Sequence, residues 1–534
     1  MVDSMNRDFS MQLESHFGDR VVRCFRDRPS SVYAMLAEAV RRNPDGEALV
    51  CGEARLNWTQ LHEAAMRVAA GLVARGVARG DRIALLLGNR NEFVIAALAT
   101  VAMGAIVVPI STREQTPGIL YLLNHCGATV VIHDGELGER LPLAQHIPML
   151  LHRIAADPYP GSEDFGALLQ CTPLTAAVEV QEEDVVAILY TSGTTGLPKG
   201  AMLTHFNIVH SALQYELAMG LDAKDRAAVV VPLSHVTGLV AQMMAMMRCA
   251  GTLLVVPSFR APDFIRLAER ERMTISIMVP AMYNLCLLQQ DFAQHDLSTW
   301  RIGGYGGAPM PIASIQALAE KFPKLALINA YGSTETTSPS TMTFPGDATL
   351  RSDSVGRAVA CGEILIMDQA GCVLPCGEAG EVWLRGPMVV KGYWDNPAAT
   401  AENFTAGFWH SGDIGSIDQD GYLSVFDRRK DMLNRGGYKV YSVEVENVLI
   451  AHPAVIEAAV VGKPCPVLGE RVHVFVTVTD LSVCGQELAA FCAERLSDYK
   501  VPESFTIGTE ALPRNPNGKL LKRELREQLA LAAR

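Results

Sequence analysis

The chain has 534 residues, enough for about three or four domains or subdomains. Apolar residues make up 49% of it and charged residues 19%, which excludes a disordered or low-complexity protein. A net charge of -12 excludes a dedicated nucleic-acid surface, so any anionic ligand has to be met by local groups.

The N-terminal stretch 1–30 carries charges throughout and no apolar run of secretory length, which predicts a cytoplasmic protein. The twelve cysteines are scattered. Cys372 and Cys376, the nearest pair, lack the spacing and companions of a zinc site, so reduced thiols are expected.

Residues 57–75 predict an amphipathic helix. Asn57 and Gln60 have capping-box spacing, Leu61, Ala65, Val68 and Leu72 form one stripe, and Gly76 ends it. Strand 83–87, a helix from Asn91, strand 105–108, a helix near 119–124 and strand 129–132 then alternate at βαβ spacing. Stretch 93–110 is almost wholly apolar and near membrane-span length. Gly104 and Pro109 divide it into a buried helix and a buried strand, so no transmembrane segment is expected.

A second series runs through strands 185–190, 227–231, 252–256, 274–277 and 325–329. These are continuous apolar runs, as when helices cover both faces of a parallel sheet. Directly after the first of them comes Tyr190-Thr191-Ser192-Gly193-Thr194-Thr195-Gly196-Leu197-Pro198-Lys199-Gly200. Bare glycines let backbone N–H groups close round phosphate oxygens, the hydroxyls add donors, and Lys199 adds a point charge. It is not a Walker A loop, because Lys199 sits between Pro198 and Gly200 rather than before Ser or Thr. The bland alternative for such a loop alone is a Gly/Ser/Thr-rich surface turn.

After about residue 350 the texture changes. Short strands at 363–367 and 381–384 lie among Gly, Pro and Asp turns, predicting a small, mainly antiparallel subdomain or barrel. The charged run Asp427-Arg428-Arg429-Lys430-Asp431 reads as a domain boundary. Beyond it, helix 443–450, strands 455–461 and 472–478 and helix 486–496 predict a compact α+β tail.

The loop at 190–200, Tyr331-Gly332-Ser333-Thr334-Glu335, His410-Ser411-Gly412-Asp413 and Pro516-Asn517-Gly518-Lys519 occur in one order over nearly the whole chain. In this the sequence resembles the adenylate-forming superfamily of acyl-CoA synthetases, amino-acid adenylation domains and luciferases. The resemblance implies two doubly wound α/β subdomains plus a small barrel in an N-terminal domain, 1–427. It further implies a hinge at 428–430 and a mobile α+β C-terminal domain, 431–534. The implied activity is that of an acid–CoA ligase using ATP, Mg²⁺ and CoA in two half-reactions, through an acyl adenylate.

The resemblance also assigns roles. Thr191, Ser192, Gly193, Thr194, Thr195, Gly196 and Lys199 hold the β- and γ-phosphates. Glu335 helps bind Mg²⁺, with Thr191 as its partner at the metal and Thr334 on the phosphate. Adenine lies between Tyr331 and the wall Gly306, Gly307, Ala308 and Pro309, and the lead-in residues Asn329 and Ala330, with Gly332 and Ser333, complete the nucleotide turn. Asp413 and Arg428 take the ribose. Lys519 bridges the substrate carboxylate and the α-phosphate. Lys430 occupies the hinge position, and Gly436 and Gly437 line a pantetheine tunnel, unless they only form a tight turn.

For the acid, His235 stands where acyl-CoA synthetases carry histidine and amino-acid-activating relatives an aspartate. Val236, Gly238, Met243, Tyr305, Gly306, Met310, Thr337 and Ser338 complete the candidate acid site. Ser234 departs from the aromatic residue often found before this histidine. No Arg or Lys stands out for a second carboxylate, so a fatty or aryl monocarboxylic acid is expected. Two alternatives remain: an acyl-AMP ligase loading a separate carrier protein, and a nucleotide-binding homologue without turnover. The expected partners are the acid, ATP and CoA, with a homodimer possible.

Overall fold

The computed structural model describes residues 9–191, 197–514 and 520–532. They form two compact units, Met1–Ile364 with Trp383–His410, and Leu365–Val382 with Ser411–Arg534.

The first unit is built on two large sheets. One has seven strands in the order Lys199–Thr204, Val185–Thr191, Ile106–Pro109, Arg82–Leu86, Ala128–His133, His152–Ala155, Glu163–Asp164. All its neighbours are parallel except the first two, which form an antiparallel hairpin. The other has nine strands: Arg357–Ala358, Ser338–Met342, Ala326–Ser333, Ile302–Tyr305, Ile275–Met278, Arg226–Val229, Thr252–Val255, Glu47–Cys51, Ala54–Asn57. Its six strands from Ala326–Ser333 to Glu47–Cys51 pair in parallel. Fully buried runs such as Leu253, Leu254 and Val255 reflect cover on both faces.

The helices follow the apolar periodicity. Trp58–Ala74 begins at the expected capping box: the Gln60 N–H donates to Asn57 Oδ1 at 2.8 Å and the Asn57 N–H to Gln60 Oε1 at 3.0 Å. The apolar stretch 93–110 divides as expected into helix Asn91–Ala102 and strand Ile106–Pro109. Among the described residues no helix is long and apolar enough to cross a membrane.

Three elements of this unit differ from the sequence expectation. Strand Ile302–Tyr305 is hidden by Gly303 and Gly304, which weaken the strand pattern. Both are glycine because a Cβ on Gly304 would lie 2.8 Å from Ile277 and one on Gly303 3.0 Å from Leu327. Strand Lys199–Thr204 turns the phosphate loop into a hairpin, with Thr191 opposite Lys199. The segment carrying Met243 has a helix that the sequence analysis did not include: Thr237–Met244 is π-helical before α-helix Ala245–Cys249 takes over.

In the second unit, the part of strand Phe408–Ile417 beyond Ser411 pairs antiparallel with Leu423–Arg428, placing Asp413 opposite Arg428. Val455–Cys465 and Gly469–Val478 form a long antiparallel pair flanked by the hairpin Leu433–Arg435/Tyr438–Val440 and by Ser504–Gly508. Helices Ser442–Ile450 and Gly485–Ala493 cover the pair through Val445, Leu449 and Leu488, while Lys522–Ala532 packs on the other side through Leu525. This is the α+β tail expected from the sequence.

Candidate active site

The site in the first unit grows from the phosphate hairpin. Ser192, Gly193, Thr194, Thr195 and Gly196 lie outside the described residues, but both stems are in place. Thr191 Oγ1 donates to Glu335 Oε1 at 3.0 Å. Ser333 Oγ donates to Glu335 Oε2 at 2.6 Å, and Tyr393 Oη donates to Oε1 at 3.1 Å. Glu335 is only 6% exposed, so three hydroxyls stand where water would otherwise solvate the carboxylate. Lys199 Nζ lies 5.2 Å from the centre of the Tyr393 ring, over the same group.

Tyr393 was not among the residues singled out from the sequence. Its segment is fixed to the return strand of the hairpin: the Trp394 N–H donates to Gly200 O at 2.7 Å, the Met202 N–H to Gly392 O at 3.1 Å, and Ala201 bridges Tyr393. Burial, then the charge of Glu335, raises the Tyr393 phenol well above its ordinary value, so it stays a donor. The sequence signal for it was Gly392-Tyr393-Trp394, an aromatic pair behind a glycine.

Glu335 owes its position to a strained turn. Gly332 cannot carry a side chain, since a Cβ there would fall 1.5 Å from Ser338 O. The Ser333 N–H donates to Thr336 Oγ1 at 2.9 Å, and Thr337 and Ser338 both adopt positive φ, +49° and +95°. Two consecutive non-glycine residues in that region hold strain of the kind that collects at working sites. Beside the turn, Tyr305 pairs with Asn329 across parallel strands, so Gly306 and Gly307 emerge next to Ala330 and Tyr331. A Cβ on Gly306 would meet Ala330 O at 2.4 Å. Gly307, Ala308 and Pro309 are exposed, Tyr331 is half-buried and Met310 is buried.

His235 precedes the π-helix. Its Nδ1 accepts the Thr237 N–H at 3.3 Å and lies 3.2 Å from Thr237 Oγ1, so in the neutral ring the proton sits on Nε2. Burial lowers its pKa below the ordinary histidine value. Val236, Gly238, Met243 and the neighbouring Met244, Met246 and Met247 are buried. A Cβ on Gly238 would be 2.3 Å from Pro232 O, which explains glycine at the tight entry to this helix.

In the second unit, Arg428 Nε pairs with Asp413 Oδ1 at 2.7 Å, and Asp413 is 5% exposed. The two expected ribose contacts therefore meet each other, and Arg428 can orient the carboxylate. Their neighbour Asp427 is buried. It accepts the Ser442 N–H and, at 3.0 Å, the Ser442 hydroxyl, which in turn accepts from Lys522 Nζ at 2.7 Å. Lys522 also pairs with Glu446 at 2.6 Å. Burial raises both the Asp427 and Glu446 carboxyls, and Lys522 pulls them back. Lys430 is exposed, and its carbonyl accepts from Arg526 Nη2 at 3.2 Å. Gly436 and Gly437 have φ of +60° and +93° in an exposed turn where the Gly437 N–H donates to Asn434 Oδ1 at 3.0 Å. Lys519 lies outside the described residues.

The sequence matches the AMP-binding enzyme family over residues 36–394 and the AMP-binding enzyme C-terminal domain over 444–519. The chain belongs to the AMP-binding enzyme family. A relative from Mycobacterium tuberculosis (strain ATCC 25618 / H37Rv), the long-chain-fatty-acid–CoA ligase FadD13, is 36% identical over 483 residues, 89% of this chain and 93% of that one. Among solved structures, the anthranilate CoA ligase AuaEII with anthranoyl-AMP superposes with a TM-score of 0.88 at 28% identity, covering 95% of this chain and 98% of that one. The Bacillus subtilis o-succinylbenzoate CoA synthetase with ATP and magnesium gives 0.83 at 30% identity, covering 93% and 99%. This family member is an ATP-dependent, AMP-forming acid–CoA ligase whose co-substrates are ATP with Mg²⁺ and CoA. The donor set of the ligase fits magnesium, a hard cation that takes one or two carboxylates plus phosphate oxygens and water. A buried carboxylate with a hydroxyl beside it, at the end of a phosphate hairpin, supplies that.

Proposed function

We propose that this ligase activates a fatty or aryl monocarboxylic acid, with the Glu335 cluster as the phosphate and magnesium end of its adenylation site. The observation that carries this reading is the convergence of Thr191, Ser333 and Tyr393 on one buried carboxylate beside Lys199. In the first half-reaction a carboxylate oxygen attacks the α-phosphorus of ATP, and the bond to the leaving pyrophosphate breaks. Two anions about 4 Å apart repel by roughly 1 kcal/mol in water and about 4 kcal/mol at the effective dielectric of a partly closed site. Lys519 offsets this by bridging carboxylate and α-phosphate, while Thr191 and Lys199 meet the departing pyrophosphate; Glu335 would hold magnesium, which when bound would supply further positive charge at the phosphates.

Tyr331 and the Gly306–Pro309 wall take adenine, and Asp413, oriented by Arg428, takes the ribose hydroxyls. His235, Tyr305, Thr337 and Ser338 flank the acid. In the second half-reaction the CoA thiol loses its proton, its sulfur bonds to the acyl carbon, and AMP leaves. Gly436 and Gly437 leave room for the pantetheine arm, and Lys430 serves as the hinge between the two steps.

Pyrophosphate release across a panel of fatty and aryl acids, followed by CoA-dependent AMP release, tests the reading. Absence of release with every acid tested would overturn it, and adenylation without CoA-dependent AMP release would point to a carrier-protein acceptor. Lys519→Ala should abolish acyl-AMP formation yet leave conversion of supplied acyl-AMP to thioester largely intact; equal loss of both steps would refute the bridging role. A cytoplasmic location and a homodimer belong to the same proposal, to be tested by fractionation and by mass in solution.

A further inference from the structure

Helix His205–Met219 carries polar side chains inside the protein. Ser211, Gln214 and Tyr215 stand at i, i+3 and i+4, on one face. That face meets strand Ser338–Met342, because Tyr215 Oη and Ser338 Oγ are 2.8 Å apart. Ser340 lies two residues further along the strand and so on the same side as Ser338. Gln214 is 1% exposed and Ser211 and Ser340 are fully buried, yet among the described residues both amide atoms of Gln214 and the hydroxyls of Ser211 and Ser340 have no hydrogen-bond partner. The hydroxyl of Thr337, buried at its strained φ, likewise has no partner among the described residues. The π-helix Thr237–Met244, which follows His235, packs against both helix and strand. π-helical turns collect at functional sites.

A buried polar group without a partner carries its full desolvation penalty, and native interiors hold few of them. Four such side chains bracketing one hydrogen bond, beside the proposed acid-binding residues, mark a prepared recognition surface. Its chemistry is specific. Glutamine and serine both donate and accept, and none of the four is charged, so the surface suits a neutral group that also does both. A second carboxylate or an ammonium would be left without a counter-charge.

We infer that the acid carries a neutral hydrogen-bonding group away from its reacting carboxylate, in the simplest case a hydroxyl, received by Gln214 with Ser211 and Ser340. This rests on the proposed acid-binding role of His235, Thr337 and Ser338. Gln214 is then a specificity residue: the deoxy acid leaves it unpaired, and sites built to hydrogen-bond a hydroxyl reject the analogue that lacks it.

The test uses the full-length enzyme and pairs of acids with one carbon skeleton, with and without a distal hydroxyl, read by pyrophosphate release. The wild type should favour the hydroxylated member by about tenfold or more in kcat/KM. Gln214→Leu should bring the pair to within about twofold by raising the deoxy acid relative to the hydroxy acid. An ATP-induced rise in melting temperature shows that the variant is folded, and Ser340→Ala provides a second, smaller change in the same direction. A wild type that prefers the deoxy acids, or a folded Gln214→Leu enzyme that keeps the wild-type ratio, overturns the inference and assigns the groups to buried water. Failure of every acid to give pyrophosphate release would defeat the proposed activity instead.

Discussion

Tyr393→Phe isolates one hydroxyl at the Glu335 carboxylate, the proposed magnesium ligand. The ring stays, so its packing and the contact with Lys199 at 5.2 Å are retained, and only the 3.1 Å donation to Glu335 Oε1 is lost. A hydrogen bond to a charged group is worth about 1.5–3 kcal/mol. Thr191 still serves Oε1 and Ser333 still serves Oε2, and the lost bond is the longest of the three. The cost should therefore fall at the lower end, about 1.5 kcal/mol, or roughly tenfold. It should appear as a rise in the Mg²⁺ concentration that half-saturates pyrophosphate release at fixed ATP, because the phenol acts on the carboxylate rather than on the acid. KM for the carboxylic acid should move less than twofold or so. Ser333→Ala, which removes the 2.6 Å bond, should cost more, and the double variant should depart from additivity because both act on one carboxylate. An unchanged magnesium requirement in Tyr393→Phe, or a shift confined to KM for the acid, would refute this positioning role.

Gly332→Ala should destabilise the first unit by about 2–4 kcal/mol in a urea titration and abolish adenylation, because its Cβ would fall 1.5 Å from a backbone oxygen that no rotamer can clear. A stable, active variant would contradict that geometry. His235 should be neutral across the ordinary histidine range, since burial lowers its pKa and protonation would take the Nδ1 lone pair from the Thr237 N–H. The pH profile of kcat/KM should thus lack an acid limb at about 6.5 and decline only below it; a His235-dependent limb at 6.5 or higher would sink the assignment. Glu14 is held down at about 2 from 4.5, chiefly by its hydrogen bond to Arg28. Its folded pKa is depressed, so its contribution to stability is present above 4.5 and lost as pH falls towards 2. Amide exchange in the hairpin Met11–His16/Arg20–Phe25 should speed up over that interval, and Arg28→Met should remove the dependence.

What the sequence made legible follows how far each signal travels along the chain. Several parallel strands, such as Thr252–Val255 and Arg82–Leu86, are largely apolar runs, and the capping box at Asn57 and Gln60 spans four residues, so both could be read locally. Thr191, Lys199 and Glu335 could be singled out as candidates because each sits inside a short contiguous motif whose residue types suit phosphate and magnesium, and the structure brings Thr191 to Glu335. Tyr393 was not, because it reaches Glu335 across 58 residues of chain and is placed by an isolated bridge to Ala201. Strand Ile302–Tyr305 escaped because Gly303 and Gly304 serve close packing between neighbouring strands at the expense of strand propensity. The charge run at 427–431 misleads in the opposite sense. Asp427 looks like one more solvated acid, yet it is 3% exposed and fastened to Ser442. The Gln214 amide, which has no partner among the described residues, is invisible for a related reason: helix His205–Met219 is buried throughout from His205 to Glu216, so no apolar stripe separates its packing face from its recognition face. The sequence could therefore offer candidates for handling ATP, whereas the acid selection inferred above rests on which buried polar atoms are left without partners among the described residues, a property of the assembled interior.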